Sequence, residues 1–321
     1  MVPPGPPVGE ETIFDLGSLT KPLVTALAIM RLVDRKRLSL DQTLSEILPP
    51  GSRLGNKADL TLRLLLCHSA GLPDWRPYYQ LLEETPLSER KQQVRSWILE
   101  EPPVHLPGSR TVYSDLGFML LEWIVEEALG LDMADYVESV FYEPLGLKRT
   151  FLFRRGETAR YLPEAFAATE ICPWRGRRLC GEVHDENAFA LGGYSGHAGL
   201  FSTAGEVYAL ARLLMDHAVG LRSDLLEPAT VRLFFERQDR FPRCGRALGW
   251  DMPAAVGSAA GRYFSPGSVG HLGFPGTSLW MDLEKDVQVV FLTNRIHPSR
   301  ENQAIQQFRP RIHDRIMREI L

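Results

Sequence analysis

Ser18 and Lys21 stand three residues apart in Phe14-Asp15-Leu16-Gly17-Ser18-Leu19-Thr20-Lys21-Pro22. A serine hydroxyl is a weak nucleophile until a neighbour takes its proton, and an amine three residues along a helix projects from the same face. Leu23, Val24, Leu27, Met30 and Val33 recur at helical spacing after Pro22, whose missing N–H costs nothing in a first turn. Ser18 is therefore expected to open a buried helix, close to the positive end of its dipole, where Lys21 could deprotonate it. An N-capping serine beside a solvated lysine gives the same pattern, so the pair needs partners elsewhere in the chain.

Two further stretches offer such partners. Pro107-Gly108 leads into Tyr113-Ser114-Asp115 and then a helix running through Leu120, Ile124 and Leu129 to Gly130. Taken alone this is a buried tyrosine beside an N-capping aspartate. His271-Leu272-Gly273, followed by Phe274, lies on a strand-like segment, where a histidine alone reads as hydrogen-bonded structure. A Gly-x-Ser-x-Gly elbow would need glycine in place of Cys67 for Ser69, after His68, and in place of His197 for Ser195, which counts against an α/β-hydrolase. His184, Asp185 and His197 are metal-ligand types at spacings that fit no compact zinc pattern, and the glycine-dense run Leu191 to Ala204 reads instead as a cleft-lining loop.

In this order, Ser18-x-x-Lys21, Tyr113-Ser114-Asp115 and His271-Leu272-Gly273 resemble the three motifs of the serine β-lactamase and penicillin-binding-protein superfamily, in particular class C β-lactamases with their DD-peptidase and esterase relatives. The likeness runs from about Phe14 to the C-terminus. It implies a nucleophile at Ser18, proton transfer by Lys21 and Tyr113, and His271 orienting Tyr113 or holding the cleft positive. It further implies an oxyanion hole from the backbone N–H groups of Ser18 and Phe274, with Asp115, Leu272 and Gly273 against the substrate. No cofactor is implied.

Three departures shape the expected chemistry. Asp115 stands where the family has asparagine, and an ionised carboxylate cannot donate to a substrate amide. Its charge would also keep Lys21 protonated, favouring Tyr113 as base. Leu272 replaces a threonine whose hydroxyl would help hold a substrate carboxylate. A helix and two strands that usually precede the nucleophile helix are missing, so either the sheet is smaller or the reading frame is truncated or mis-started. Esters or small amides are thus expected as substrates ahead of β-lactams, with D-alanyl-D-alanine peptides as the alternative. A binding protein that retains the cleft without turnover is a reading from another class.

The elements that must position these groups suit an α+β fold: an antiparallel sheet flanked by helices, with a large, mostly helical insertion. Residues 1–40 and 240–321 would carry the nucleophile helix and sheet, and 41–239 the Tyr113 motif and glycine-rich loop. Strands are expected at Ser268–Gly276, Thr277–Leu283 and Val287–Thr293, with Glu284-Lys285-Asp286 as a tight turn. Helices are expected over Leu60–Leu72 with Gly71 as cap, Ser88–Glu100, Glu206–Met215 and Gln303–Ile320.

The 321 residues are 44% apolar, enough for a continuous core, and the net charge of −4 leaves no basic footprint for nucleic acid or anionic lipid. No apolar run is long enough to span a membrane, and the proline-rich start lacks a signal peptide's apolar core, so the chain as written is expected in the cytoplasm. An upstream extension would make an extracytoplasmic location possible. Cys67 and Cys244 read as ordinary thiols; Cys172 and Cys180 flank a turn and read as free thiols ahead of a disulfide or half a metal site. The expected partner is a small ester, amide or peptide, and the sequence carries no signal of oligomeric state.

Overall fold

The computed structural model describes residues 7–241 and 244–321; the proline-rich residues 1–6 lie outside them. The short strand β1 (Phe14–Asp15) leads through the turn Gly17–Leu19 into the wide-pitched π-helical segment Lys21–Ala26 and then α1 (Leu27–Asp34). Leu23, Val24, Leu27 and Ile29 have no solvent exposure, so this helix runs through the core instead of along a face. Pro22 enters without an N–H, and the Thr20 and Thr25 hydroxyls donate to the Gly17 and Gly196 carbonyls at 2.6 and 2.7 Å. A π turn at such a place is a usual companion of a functional site.

Next come α2 (Leu44–Ile47), α3 (Leu62–Leu66), α4 (Leu87–Glu100), α5 (Asp115–Leu129) and α6 (Met133–Val137), then β2 (Phe151–Leu152) and the hairpin β3 (Ile171–Cys172) with β4 (Arg177–Arg178). The helix expected over Leu60–Leu72 stops at Leu66. His68, not Gly71, takes the left-handed conformation after it, at φ 57°. Gly71 is left-handed too, but its hydrogen faces the His105 carbonyl, which a Cβ would meet at 2.2 Å. Ser114, not Asp115, caps α5, its hydroxyl accepting the Gly117 N–H at 3.3 Å.

The remaining elements are α7 (Glu186–Ala190), β5 (Leu200–Ser202), α8 (Ala204–Ala218), α9 (Pro228–Phe235), strands β6 (Val269–Leu272), β7 (Ser278–Asp282) and β8 (Val287–Phe291), and α10 (Ile305–Ile320). Strands β6, β7 and β8 form the expected antiparallel meander, with Leu272 opposite Ser278 and Asp282 opposite Val287. Asp286 closes the second turn at φ 51°. β1 does not join this sheet; it pairs with β5, Phe14 opposite Ser202. Met317 of α10 packs with Trp280, Val287 and Val289 on one side of the meander, while α8 lies against β8. One apolar core joins α1, α5, α8 and the inner sheet residues Leu279 and Met281. No described helix is long and apolar enough to cross a membrane.

Candidate active site

Ser18 sits in a turn shaped by its neighbours. Gly17 is left-handed at φ 54°, and a Cβ there would meet Pro275 Cδ at 2.5 Å and the Phe274 nitrogen at 3.2 Å. The buried Asp15 carboxylate accepts the Gly17 N–H at 2.8 Å and the His184 N–H at 2.6 Å, fixing the turn from below. The turn between β6 and β7 is stitched to the Ser18 turn by the Thr277 hydroxyl, which donates to the Leu16 carbonyl at 2.9 Å. Only glycine fits at 273, because a Cβ would lie 2.0 Å from Thr277 Oγ1 and 2.2 Å from the Leu16 carbonyl. Two side chains of hydrogen thus let the backbone at Ser18 and Phe274 approach each other.

Lys21 is fully buried. Its ammonium donates to Ser18 Oγ at 3.0 Å and to the His197 carbonyl at 3.2 Å, and forms an ion pair with Asp115 Oδ1 at 2.7 Å. Burial alone would push the amine down, but the charge of Asp115 and the neighbouring Tyr113 outweigh it and hold Lys21 above its ordinary range. Tyr113 lies beneath the ammonium, its ring centroid 4.8 Å away. Burial pushes its phenol above the usual value, against the pull of Lys21.

His271 stands next to Tyr113, ring centroids 5.9 Å apart. Its Nδ1 lies 2.8 Å from the Leu272 carbonyl and must donate there, leaving Nε2 as an acceptor with no partner among the described residues. Burial pushes the imidazole down to about 4, which favours its neutral form at neutral pH. The Arg246 guanidinium lies 5.2 Å from the Tyr113 ring centre and is paired with the Asp251 carboxylate. On the ring's other flank is His68, at 4.5 Å, with Nδ1 accepting the Ser114 N–H at 3.0 Å.

The glycine-rich loop reaches the site through backbone. Gly196 packs so closely on α5 that a Cβ would meet the Phe118 carbonyl at 2.1 Å. Buried Glu122 anchors the loop, accepting from Ser195 Oγ at 2.5 Å and the Gly196 N–H at 2.9 Å. This brings the His197 carbonyl onto Lys21, while the His197 ring pairs with Asp185 at 3.0 Å. Asp115, Asp185 and His197 place ligand atoms within 4.8 Å of one another. The Lys21 ammonium already answers Asp115 there, and Asp185 holds His197 above its ordinary pKa against burial.

Ser18, Tyr113 and Phe274 divide the cleft. On one side is a cavity of about 410 Å³ bordered by Asp74, Trp75, Asp115, Glu186 and Arg300. On the other is a chamber of about 370 Å³ bordered by Arg246, Asp251, His271, Leu272, Arg295 and Arg309. Arg309 is buried, with its Nη2 donating to the Thr277 carbonyl at 3.2 Å and its Nε unpartnered among the described residues. Where Leu272 removes a hydroxyl, the chamber supplies guanidinium groups. Arg246 and Arg309 had no local signature: both act through contacts with residues far away in the chain.

Phe274 is half-exposed at the divide, stacked on the His184 ring at 5.5 Å and lying beneath the Arg295 guanidinium at 4.4 Å. Behind His184, the buried Glu170 accepts from Arg300 Nε at 2.8 Å, and Glu186 accepts from Arg300 Nη2 at 2.6 Å. Cys172 and Cys180 are both free thiols.

Among solved structures, the fold is similar to EstCE1, a hydrolase with promiscuous acyltransferase activity (TM-score 0.69, 24% identity, 95% of this chain and 86% of that one). It is also similar to a penicillin binding protein from Bacillus halodurans (TM-score 0.67, 23% identity, 90% and 82%). A curated protein of Escherichia coli (strain K12), named "Putative D-alanyl-D-alanine carboxypeptidase", is 32% identical over 308 residues, which span 89% of this chain and 70% of that protein. The sequence model of the Beta-lactamase family matches residues 1–309. With the serine, lysine, tyrosine and histidine motifs meeting in one cleft, the chain belongs to the Beta-lactamase family, within the serine β-lactamase and penicillin-binding-protein superfamily, and is a serine hydrolase.

Proposed function

We propose that the protein cleaves an amide or ester whose leaving group carries a carboxylate, as the terminal D-alanine of a D-alanyl-D-alanine peptide does, through an acyl-enzyme on Ser18. The observation that carries this reading is the chamber beside Ser18, where Arg309 has a buried Nε with no partner among the described residues and Arg295 adds charge, while Arg246 is paired with Asp251. A guanidinium is a fitting partner for a carboxylate because its donors match the two oxygens. The name of the 32% identical relative points the same way.

In the resting site Lys21 is an ammonium and Tyr113 a neutral phenol, so the reactive form has one proton fewer. That proton leaves Tyr113, and the phenolate is stabilised by the adjacent Lys21 charge. Ser18 Oγ then attacks the carbonyl carbon while its proton passes to Tyr113 Oη. The developing oxyanion is received by the backbone N–H groups of Ser18 and Phe274. Collapse breaks the bond to the leaving group, which takes the proton from Tyr113, and water hydrolyses the acyl-enzyme by the same route. Asp115 acts through Lys21, and Leu272 and Gly273 form the wall against which the substrate lies.

A second reading, simple ester hydrolysis, is favoured by Asp115, which is committed to Lys21 and cannot donate to an amide carbonyl as asparagine does. Release of D-alanine from a D-alanyl-D-alanine peptide, measured beside a chromogenic short-chain ester and a cephalosporin with Ser18→Ala as control, decides between them. D-alanine release lost in Ser18→Ala supports the peptidase. Ester turnover without D-alanine release leaves the esterase, and rapid cephalosporin turnover alone overturns both.

A further inference from the structure

Two cysteines 177 positions apart meet at the wall of the catalytic tyrosine. Cys67 ends α3 with no exposed surface, and the buried Cys244 places its Sγ 4.0 Å from the Cys67 carbonyl. Both thiols are free, and the Cys244 S–H donates to the Cys67 and Arg246 carbonyls, each at 4.0 Å, which sets its sulfur beside residue 67. Their segments are stitched together on both sides: Arg63 donates to Gln238 Oε1 at 2.9 Å, and the Gly249 N–H donates to the Leu66 carbonyl at 3.0 Å. Neither thiol contributes to the chemistry at Ser18.

Their position gives the contact a consequence. Cys67 directly precedes His68, whose left-handed backbone holds its ring against Tyr113. Cys244 lies two residues before Arg246, which covers Tyr113 from another side. We infer that Cys67 and Cys244 are a redox modification site: peroxide joins them in a reversible disulfide that shifts the His68 and Arg246 walls of Tyr113 and lowers acyl transfer. A sulfur–sulfur bond of about 2 Å is well inside the contact distance of two free thiols, so closing it draws the two segments together.

The chemistry balances with peroxide as the oxidant. The Cys244 thiolate attacks one peroxide oxygen; an S–O bond forms, the O–O bond breaks, and hydroxide leaves. Cys67 gives up its proton and attacks the Cys244 sulfur, the S–S bond forms and the S–O oxygen departs as water. Two thiols lose two electrons and two protons, and peroxide becomes two waters. Cys244 is the better first nucleophile, because the neighbouring Cys67 thiol holds it below the ordinary thiol value against burial, while Cys67 itself is held above.

The bridge itself does not depend on which substrate the enzyme takes, whereas its effect on rate rests on Tyr113 acting at Ser18. The test treats the wild-type chain with dilute hydrogen peroxide, blocks remaining thiols under denaturing, non-reducing conditions, and maps the peptides. The expected result is a joined Cys67–Cys244 peptide lighter by about 2 Da than its parts. Alongside it, kcat/KM for a chromogenic ester should fall by about tenfold, in keeping with a sub-ångström displacement of a catalytic group. Dithiothreitol should restore both, and Cys67→Ser should keep its rate under peroxide. Oxidation of Cys244 without a bridge, a Cys172–Cys180 bridge instead, or a bridge that leaves kcat/KM unchanged would overturn the inference. Peptide mapping of the wild type decides the bridge even if Cys67→Ser fails to fold.

Discussion

Lys21 and Asp115 form an ion pair at 2.7 Å in which the lysine is fully buried. Asp115 raises both Lys21 and Tyr113, so the form that lacks one proton is scarce at neutral pH and grows as pH rises. The expected kcat/KM therefore climbs towards alkaline pH, with a midpoint that belongs to the coupled pair. Asp115→Asn removes a charge that opposes deprotonation of both groups and should move this limb to lower pH. A limb that stays in place in the pH profile of Asp115→Asn would remove Asp115 from control of the base.

Tyr113→Phe retains the ring against His68 and Arg246 but removes the proton carrier. Its kcat should fall by about 10² to 10⁴, the usual contribution of one general acid–base group. The thermal midpoint should stay close to wild type, because the packing face is unchanged. Fluorophosphonate labelling of Ser18 followed by mass should slow in parallel; undiminished labelling would assign the first proton to Lys21.

The parts of this site that the sequence made legible are those encoded locally. Ser18 and Lys21 share one helix turn, and Tyr113, Asp115 and His271 each carry a short motif, so order along the chain sufficed. What stayed hidden depends on contacts between distant segments. His68 ends α3 in a left-handed backbone that one would expect of Gly71, because its ring is held by Tyr113 and its Nδ1 by the Ser114 N–H. The meander β6–β8 was legible from alternation and a tight turn, while pairing of two-residue β1 with β5 was not, since two residues have no period. Cys67 and Cys244 looked ordinary for the same reason: nothing within either segment specifies the other.

Gly273→Ala tests the backbone geometry of the oxyanion hole without touching a reactive side chain. The added methyl would lie 2.0 Å from Thr277 Oγ1 and 2.2 Å from the Leu16 carbonyl, so β6 must retreat from the Ser18 turn. Losing one well-placed oxyanion donor costs about 10² to 10³ in rate. The variant should fold, with kcat lowered by that order and circular dichroism close to wild type. Wild-type kcat would show that the approach of Phe274 to Ser18 does not matter.

Glu170 provides a stability limb. Burial would raise this carboxyl, but Arg300 and His184 outweigh it and hold it down at about 2. Its contribution is therefore present above the unfolded value of about 4.3 and is lost as pH falls towards about 2. Arg300→Gln leaves a buried carboxylate short of a charged donor, and because Arg300 itself is partly exposed and His184 remains, the loss is about 1.5 to 3 kcal/mol. Thermal unfolding at neutral pH should show that loss, and the variant's midpoint should fall less steeply than wild type between pH 5 and 2. Equal acid slopes would place the limb elsewhere.

Arg309 reports on the leaving group. It lines the chamber together with His271 and Leu272, its Nε has no partner among the described residues, and burial lowers it to about 10, so it stays charged at neutral pH. A charged hydrogen bond to a substrate carboxylate is worth about 1.5 to 3 kcal/mol, or roughly 10- to 150-fold in affinity. Arg309→Gln should raise KM by that range for a substrate ending in a free carboxylate and leave the matching C-terminal amide nearly unaffected. The decisive quantity is the ratio of kcat/KM for the two substrates, because a general loss of fold or of nucleophile lowers both alike. A ratio unchanged by the substitution would detach the arginine chamber from recognition of a carboxylate and leave ester hydrolysis as the better account of the cleft.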